Sequence, residues 1–195
     1  KKNKIDDLKF ECNDKNYTAF VTGTNIDHSD IYIPLSIKRG LKAYNIVGIK
    51  EGSFEEEIFI KYVHFNINNE IRFIEKNAFL GASLTTITIP PHVYKIDEYA
   101  FSNCKNLHTV EFPENSELNT IEKSAFARTS ITNIKIPSHV TTICEKAFYK
   151  CFDLKSIEFP ENSELNTIER KIFEYTSIQL FTIPKNVVTL NDGWF

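Results

Sequence analysis

Apolar residues return along this chain at fixed distances. Phenylalanines mark the pattern, and the distances between them alternate between 25 and 22 residues, so every second one lies 47 residues further on. The marking residues are Phe54, Phe79, Phe101, Phe126, Phe148, Phe173 and Phe195. Prolines recur at alternating distances of 23 and 24 residues, at Pro90, Pro113, Pro137, Pro160 and Pro184. This regularity predicts a chain made of stacked copies of one small unit.

Each proline closes a segment that predicts a β-strand. The segment begins with Leu or Ile, and its last three residues before the proline are apolar, polar and apolar, the period of a strand with one buried face. Proline ends the strand because it has no N–H to donate. The predicted strands span residues 60–66, 84–90, 107–113, 131–137, 154–160 and 178–184, with Asn66 in the proline position of the first.

The second half of each unit predicts a short return segment that ends in a helical turn. It carries two apolar residues at i and i+3, followed by the marking Phe. The pairs are Val93/Ile96, Leu118/Ile121, Val140/Ile143, Leu165/Ile168 and Val187/Leu190. We expect the Phe side chains to form one column inside the coil, with about 1.5–3 kcal/mol gained for each one buried.

Aliphatic residues at set offsets within a period of about 20–29 residues are typical of a leucine-rich-repeat solenoid. Residues 111–122 recur letter for letter as residues 158–169, which indicates duplication of a two-repeat unit. Because a single repeat cannot bury its own apolar edge, the repeats must stack on one another. The predicted fold is therefore a mainly β solenoid with short helical turns and a parallel β-sheet on its concave side.

The repeats resemble the BspA-like leucine-rich-repeat proteins. Residues 74–90, 96–113 and 143–160 carry the resemblance, each with Ala-Phe and a closing Ile- or Val-x-Ile- or Phe-Pro; in the last two, Cys follows the Phe by three residues and Leu follows by three more. Thr129 and Thr176 stand where Cys is usual, and Ile172 replaces Ala before Phe173. The resemblance implies a cell-surface or secreted surface antigen used for adhesion and host interaction, without catalysis, whose partner is a host or matrix protein or a glycan.

Two other functions remain open at this point. One is an intracellular leucine-rich-repeat scaffold with a cytoplasmic location, built on the same repeat. The other is a targeting portion of a larger protein that carries its chemistry on another segment.

The sequence predicts one continuous solenoid. Residues 1–45 form an N-terminal β-hairpin cap, with strand-like runs at 8–12 and 17–23, and residues 46–195 form about six repeats of 22 or 25 residues. No cap is evident after Phe195, and an uncapped end exposes a strand edge and apolar surface. We therefore expect either that the chain is a fragment of a longer array or that a partner covers this end, self-association through it included.

The outward residues of the predicted strands are the candidate binding surface. The third and fifth residues of each strand are expected on the concave face, which solenoids often use to bind partners. The third positions are Tyr62, Thr86, Thr109, Asn133, Ser156 and Leu180, and the fifth are His64, Thr88, Glu111, Lys135, Glu158 and Thr182. Tyr62 and Leu180 are the expected apolar anchors, because exposed aromatic side chains are enriched at binding hot spots. The alternating charges of Glu111, Lys135 and Glu158 also fit simple cross-strand pairing.

Composition narrows the partners further. The chain has 23 Lys and Arg against 26 Asp and Glu, a net charge of −3, so it lacks the basic surplus that nucleic-acid binding proteins usually show. No apolar run approaches the roughly 20 residues of a membrane helix. We therefore expect neither a nucleic-acid partner nor membrane insertion in this segment.

The sequence offers no catalytic, metal or cofactor motif. Cys104 and Cys151 occupy the same repeat position two units apart, about 10 Å at the spacing of β-strands. Because a disulfide needs Cα atoms within about 7 Å, these two residues cannot form one. No Cys-x-x-Cys or Cys/His cluster predicts zinc. Residues 28–30 spell His-Ser-Asp, but a triad is recognised by its geometry and adjacent residues do not normally supply it. One candidate N-glycosylation site exists at Asn16, in the sequon completed by Thr18.

Overall fold

The computed structural model describes residues 5–25, 27 and 29–194; His28 and Phe195 of the sequence analysis lie outside the described residues. Among the described residues, the only helix is one short 3-10 turn, Ile5–Asp7. No described helix is both long and apolar enough to traverse a bilayer. The strands are β1 (Leu8–Asn13), β2 (Thr18–Thr24), β3 (Asp30–Ile33), β4 (Ser36–Arg39), β5 (Lys42–Ile49), β6 (Tyr62–Phe65), β7 (Phe73–Ile74), β8 (Thr86–Thr88), β9 (Lys95–Ile96), β10 (Thr109–Glu111), β11 (Thr120–Ile121), β12 (Asn133–Lys135), β13 (Thr142–Ile143), β14 (Ser156–Glu158), β15 (Thr167–Ile168) and β16 (Thr189–Leu190).

The strands form two stacks. One stack contains β3, β6, β8, β10, β12 and β14, which we call the repeat strands. The other is a ten-stranded sheet in the order β1-β2-β5-β7-β9-β11-β13-β15-β16, with β4 paired to β5, which we call the long sheet. The pairs β1/β2 and β4/β5 are antiparallel, and the other described pairs are parallel. The predicted solenoid of stacked parallel strands is confirmed.

The long sheet runs through the return segments, where the sequence indicated no strand. Each segment contributes two residues, such as Lys95–Ile96. Ile96 is buried and pairs in register with Ile121, which in turn pairs with Ile143. A two-residue strand is too short to show an alternating pattern, so periodicity alone cannot identify it.

A column of stacked phenylalanines fills the interior, as expected. The described members are Phe54, Phe79, Phe101, Phe126, Phe148 and Phe173, all buried. Neighbouring ring centroids lie 5.1–6.1 Å apart, and their planes are within 15° of parallel. Offset stacking of this kind is favourable for aromatic rings and adds to the gain from burial.

The turn around each Phe is not an α-helix but a series of tight turns with alternating backbone conformation. The residues two before and two after each Phe have positive φ, between 54° and 70°: Gly52 and Glu56, Asn77 and Gly81, Tyr99 and Asn103, Ser124 and Arg128, Lys146 and Lys150, Lys171 and Tyr175. The alternation aims every second N–H along the solenoid axis; Phe79 N, for example, donates to Ala100 O at 2.8 Å and Phe101 N to Ala125 O at 2.8 Å. The turns are thus bonded to one another as well as stacked.

Two strand assignments change the ends of the repeat-strand stack. Residues 30–33 form β3, which pairs in parallel with β6 and so adds one strand before the first predicted one. Residues 178–184, predicted as a strand, are not one: Ile178 is buried, but Leu180 and Ile183 are 90% and 43% exposed. This segment has a neighbour on one side only among the described residues, and the backbone bond to that neighbour is made just before it, from Ser177 N to Leu154 O at 3.0 Å.

Candidate functional site

All twelve residues of the predicted binding surface lie on the outside of the repeat strands or of residues 178–184. Thr86, Thr109 and Ser156 are half-buried, and the other nine are exposed. Of the residues between them, Val63, Ile87, Val110 and Ile134 are at most 7% exposed, and Ile157 and Phe181 are half-buried. The alternation read from the sequence therefore holds in the structure, and we call the outward residues the strand face.

Neighbouring strands bring these side chains together in pairs. Thr88 donates its hydroxyl to the Glu111 carboxylate at 3.1 Å, and Ser156 donates to Asn133 Oδ1 at 2.7 Å. Lys135 lies opposite Glu158 in register, yet no ion pair joins it to any described residue. The expected charge pairing is therefore not made, and the Lys135 ammonium remains available to a partner.

An aromatic cluster at the first strands includes residues that the sequence analysis missed. The Tyr32 ring stacks on His64 with centroids 4.4 Å apart, and the ring of Tyr62, two residues before His64 on β6, has its centroid 6.4 Å from His64. The His64 Nε2 is 2.9 Å from Asp30 Oδ1. Residues 31–34, Ile-Tyr-Ile-Pro, echo the repeat strands already in the sequence and so indicate β3, although the predicted binding surface includes none of them.

This cluster is not a catalytic triad. The Ser29 hydroxyl donates to Asp30 Oδ2 at 2.5 Å, so it contacts the carboxylate and not the imidazole that would have to take its proton. The hydrogen bonds from Ser29 and His64 hold the pKa of Asp30 below its usual value. The half-buried carboxylate thus stays ionised beside the His64 ring, an arrangement suited to binding.

Three hollows lie in a row where the repeat strands and residues 178–184 end at their prolines. We call this border of the surface the proline edge. The first, of about 420 Å³, lies over Pro90 and Pro91, and the second, of about 560 Å³, lies over Pro137. The third, of about 730 Å³, lies beside Pro184. Each contains one half-buried Phe at the sixth strand position, and these residues are 47 apart: Phe65, Phe112 and Phe159.

Alternating loop lengths produce these hollows. The chain takes 11 residues from Pro90 to Phe101 and from Pro137 to Phe148, but 13 from Pro113 to Phe126. The longer loops, 114–117 and 161–164, stand on either side of the short turn after Pro137. The hollows therefore recur with the 47-residue unit, once in every two turns.

The strands pair in the same two-turn rhythm. The pairs β8/β10 and β12/β14 are in register over three residues each. By contrast, β6 and β8 share one residue pair, and β10 and β12 belong to separate sheets. The second hollow lies at this last break, between Glu111 and Lys135.

The proline edge is acidic. Two copies of the same three carboxylates stand along it: Glu111, Glu114 and Glu117, then Glu158, Glu161 and Glu164. His92 and His139 contact Glu117 and Glu164 at 2.8 and 3.0 Å. Glu114, Glu158 and Glu161 form no ion pair with a described residue.

The cysteines are structural. All four thiols are free, and Cys104 and Cys151 are buried with their Sγ atoms 2.9 and 3.1 Å from the carbonyls of Phe79 and Phe126. Burial raises the pKa of Cys104 to about 12 and that of Cys151 to about 11. Such thiols are poor nucleophiles, because the thiolate is the reactive form. Among the described residues, no three His, Cys, Asp or Glu side chains converge as a metal site.

The glycosylation candidate is on the surface. Asn16 is exposed in the turn between β1 and β2, and the Thr18 hydroxyl donates to its Oδ1 at 2.7 Å. Its use as an acceptor remains a prediction.

Comparison with known proteins identifies the repeat. A family model described as BspA type leucine rich repeat region, in 6 copies, matches residues 38–151 and 72–195. The fold is similar to that of the pneumococcal vaccine antigen PcpA, at 21% identity over 99% of this chain and 46% of that chain, with a TM-score of 0.70. A leucine-rich-repeat protein from Eubacterium ventriosum shares 18% identity over 95% of this chain and 49% of its own, with a TM-score of 0.66.

A leucine-rich-repeat protein from Bacteroides ovatus gives a TM-score of 0.57 at 20% identity, over 97% of this chain and 61% of its own. At these identities the similarity establishes the fold alone. The chain spans about half the length of PcpA. No curated protein matches it.

Proposed function

Because the chain belongs to the BspA-type leucine-rich-repeat family, we propose that it is a non-enzymatic recognition module that binds a host or matrix protein or a glycan at a cell surface. Binding takes place through the strand face, by contacts repeated from one turn to the next. The similarity to a bacterial vaccine antigen supports a surface location.

One observation carries this proposal: the strand face exposes apolar and charged groups that the described chain does not satisfy. Leu180 is 90% exposed and Tyr62 is 39% exposed, at opposite ends of the face. Lys135 lies between them without an ion pair to any described residue. Aromatic and charged groups of this kind contribute most to binding when a partner covers them.

The experiment measures binding of the purified protein to host cells and to immobilised matrix proteins. The strand-face variant carries Tyr62→Ala, Lys135→Glu and Leu180→Ala. The control variant carries Phe152→Ala, Lys105→Glu and Ile58→Ala, the same three kinds of change at exposed residues four after a stacked Phe. Circular dichroism checks that both variants remain folded.

We expect saturable binding that the strand-face variant loses and the control variant keeps. Equal binding by both variants would move the site away from the strand face. Loss in the control variant alone would place the site at the residues that follow the stacked phenylalanines, where the control substitutions lie. Absence of binding to every surface by the folded protein would contradict the adhesion proposal.

A further inference from the structure

We propose that the hollows of the proline edge hold an extended, cationic, proline-rich peptide in the polyproline II conformation, with one residue in every three entering a hollow. This inference rests on the proposed function, since it assigns a ligand class to one border of the same recognition surface. It is carried by the spacing of the hollows, by their lining and by the charge of their rims.

The spacing selects the conformation of the ligand. Equivalent hollows are two turns apart, which is about 10 Å at the spacing of neighbouring parallel strands. A polyproline II helix has three residues per turn and rises about 9.3 Å over them, so side chains at i, i+3 and i+6 point the same way at nearly this interval. An α-helix repeats its face about every 5.4 Å, and a β-strand repeats a face about every 6.7 Å. Neither matches the hollows within a single repeat, and an α-helix comes near this interval only over two turns, about 10.8 Å.

The lining suits proline and the aliphatic stems of long side chains. The second hollow is walled by Pro113, Pro137 and Pro160 and contains the half-buried ring of Phe112. Proline side chains offer apolar surface without an N–H beside them, and grooves lined by aromatic residues are a recurring binding surface for polyproline II segments. Phe65 and Phe159 repeat the same ring in the other two hollows.

The rims select positive charge. Glu111 and Glu114 line the second hollow, and Glu158 and Glu161 line the third. Lys135 in the second hollow and Lys185 in the third oppose a cationic ligand, but two carboxylates face each of them. No carboxylate lines the first hollow. A Lys or Arg of the peptide would therefore meet carboxylates at the second and third hollows, and its binding should weaken as salt rises.

The direct test is fluorescence anisotropy with a labelled peptide of four Pro-Pro-Arg repeats at low salt. Two control peptides share its length: four Pro-Pro-Glu repeats, and a peptide with the same Pro and Arg residues in an order that breaks the three-residue spacing. We expect binding of the Pro-Pro-Arg peptide and at least about tenfold weaker binding of both controls.

Protein variants locate the site. Glu114→Lys with Glu161→Lys reverses two exposed rim charges and should weaken binding about tenfold. Glu55→Lys with Asp153→Lys makes the same change in net charge on exposed residues outside the hollows and should leave binding within about twofold. Ser138→Trp fills the second hollow and should weaken binding, whereas Ser130→Trp, on the opposite edge, should not.

The outcomes separate this inference from the proposed function. Lys135→Glu, which is part of the strand-face variant, should strengthen binding of the cationic peptide while the strand-face variant loses binding to cells. Cell binding that follows the strand face, with no binding of the Pro-Pro-Arg peptide, would overturn the peptide inference and leave the recognition proposal standing. Equal binding of all three peptides, no effect of Ser138→Trp, or competition by neutral glycans would also overturn it.

Discussion

The stacked phenylalanines should carry a large share of the stability, and Phe126 tests this most sharply. It lies in the middle of the column, fully buried, with its ring 5.3 Å from Phe101 and 5.6 Å from Phe148 and nearly parallel to both. Phe126→Ala removes the buried ring and both stacking contacts, and leaves a cavity that neighbouring turns cannot readily close.

The expected loss is about 3–5 kcal/mol of unfolding free energy, the range found for Phe to Ala changes in protein cores. Two terms account for it. Burial of the side chain contributes about 1.5–3 kcal/mol. Each ring stack adds about 0.5–1.5 kcal/mol. Among the described residues, Phe54 at the first position of the column stacks on Phe79 alone, so Phe54→Ala should cost less than Phe126→Ala by about one stack.

Urea unfolding followed by circular dichroism measures the effect. Phe152→Ala is the matched control, since Phe152 is 62% exposed and its loss should change stability by no more than about 0.5 kcal/mol. The single tryptophan, Trp194, gives an independent signal from the last turn, which matters because repeat arrays can lose two-state behaviour. A cost for Phe126→Ala below about 1.5 kcal/mol, or equal to that of Phe152→Ala, would refute the reasoning.

Three further predictions follow from the backbone, the thiols and the carboxylates. Asn103 has φ of 63°, so Asn103→Val should destabilise by about 1–2 kcal/mol in chemical unfolding, while Asn103→Gly should not. Cys104 and Cys151, with pKa values raised to about 12 and about 11, should react with a thiol reagent at pH 8 only after denaturant is added. Because the pKa of Asp30 is lowered by folding, its contribution is present above the usual pKa near 3.8 and lost as pH falls through the folded value. Asp30→Asn should therefore flatten the acid limb of an unfolding-free-energy titration, and an unchanged limb would contradict the assignment.

The sequence was sufficient where residues repeat and insufficient where geometry depends on neighbours. Phe54 to Phe173 could be placed in one column because their spacing is regular, and the outward columns followed from simple alternation. The two-residue strands of the long sheet are too short for that signal. The left-handed residues Tyr99 and Lys150 belong to no residue type that would announce positive φ.

The candidate site was predictable in part. Lys135 and Leu180 lie outward as predicted, but the strand expected at 178–184 does not form, and β3 extends the face to Tyr32. The alternating loop lengths behind the hollows were visible in the spacing of prolines and phenylalanines. Only the structure shows that each short turn, lying between two longer loops, leaves a hollow there. The division into a cap of residues 1–45 and repeats at 46–195 stays a prediction.

The central claim is that the strand face is the surface that a partner covers, and lysine footprinting tests it most directly. The protein is acetylated alone and while bound to the cell or matrix surface that it recognises, and mass spectrometry compares Lys135 with Lys105. Both side chains are exposed. Lys135 lies on the strand face, and Lys105 lies four residues after the stacked Phe101, away from that face. The account predicts that binding protects Lys135 and leaves Lys105 reactive. Protection of Lys105 with Lys135 unchanged would contradict it.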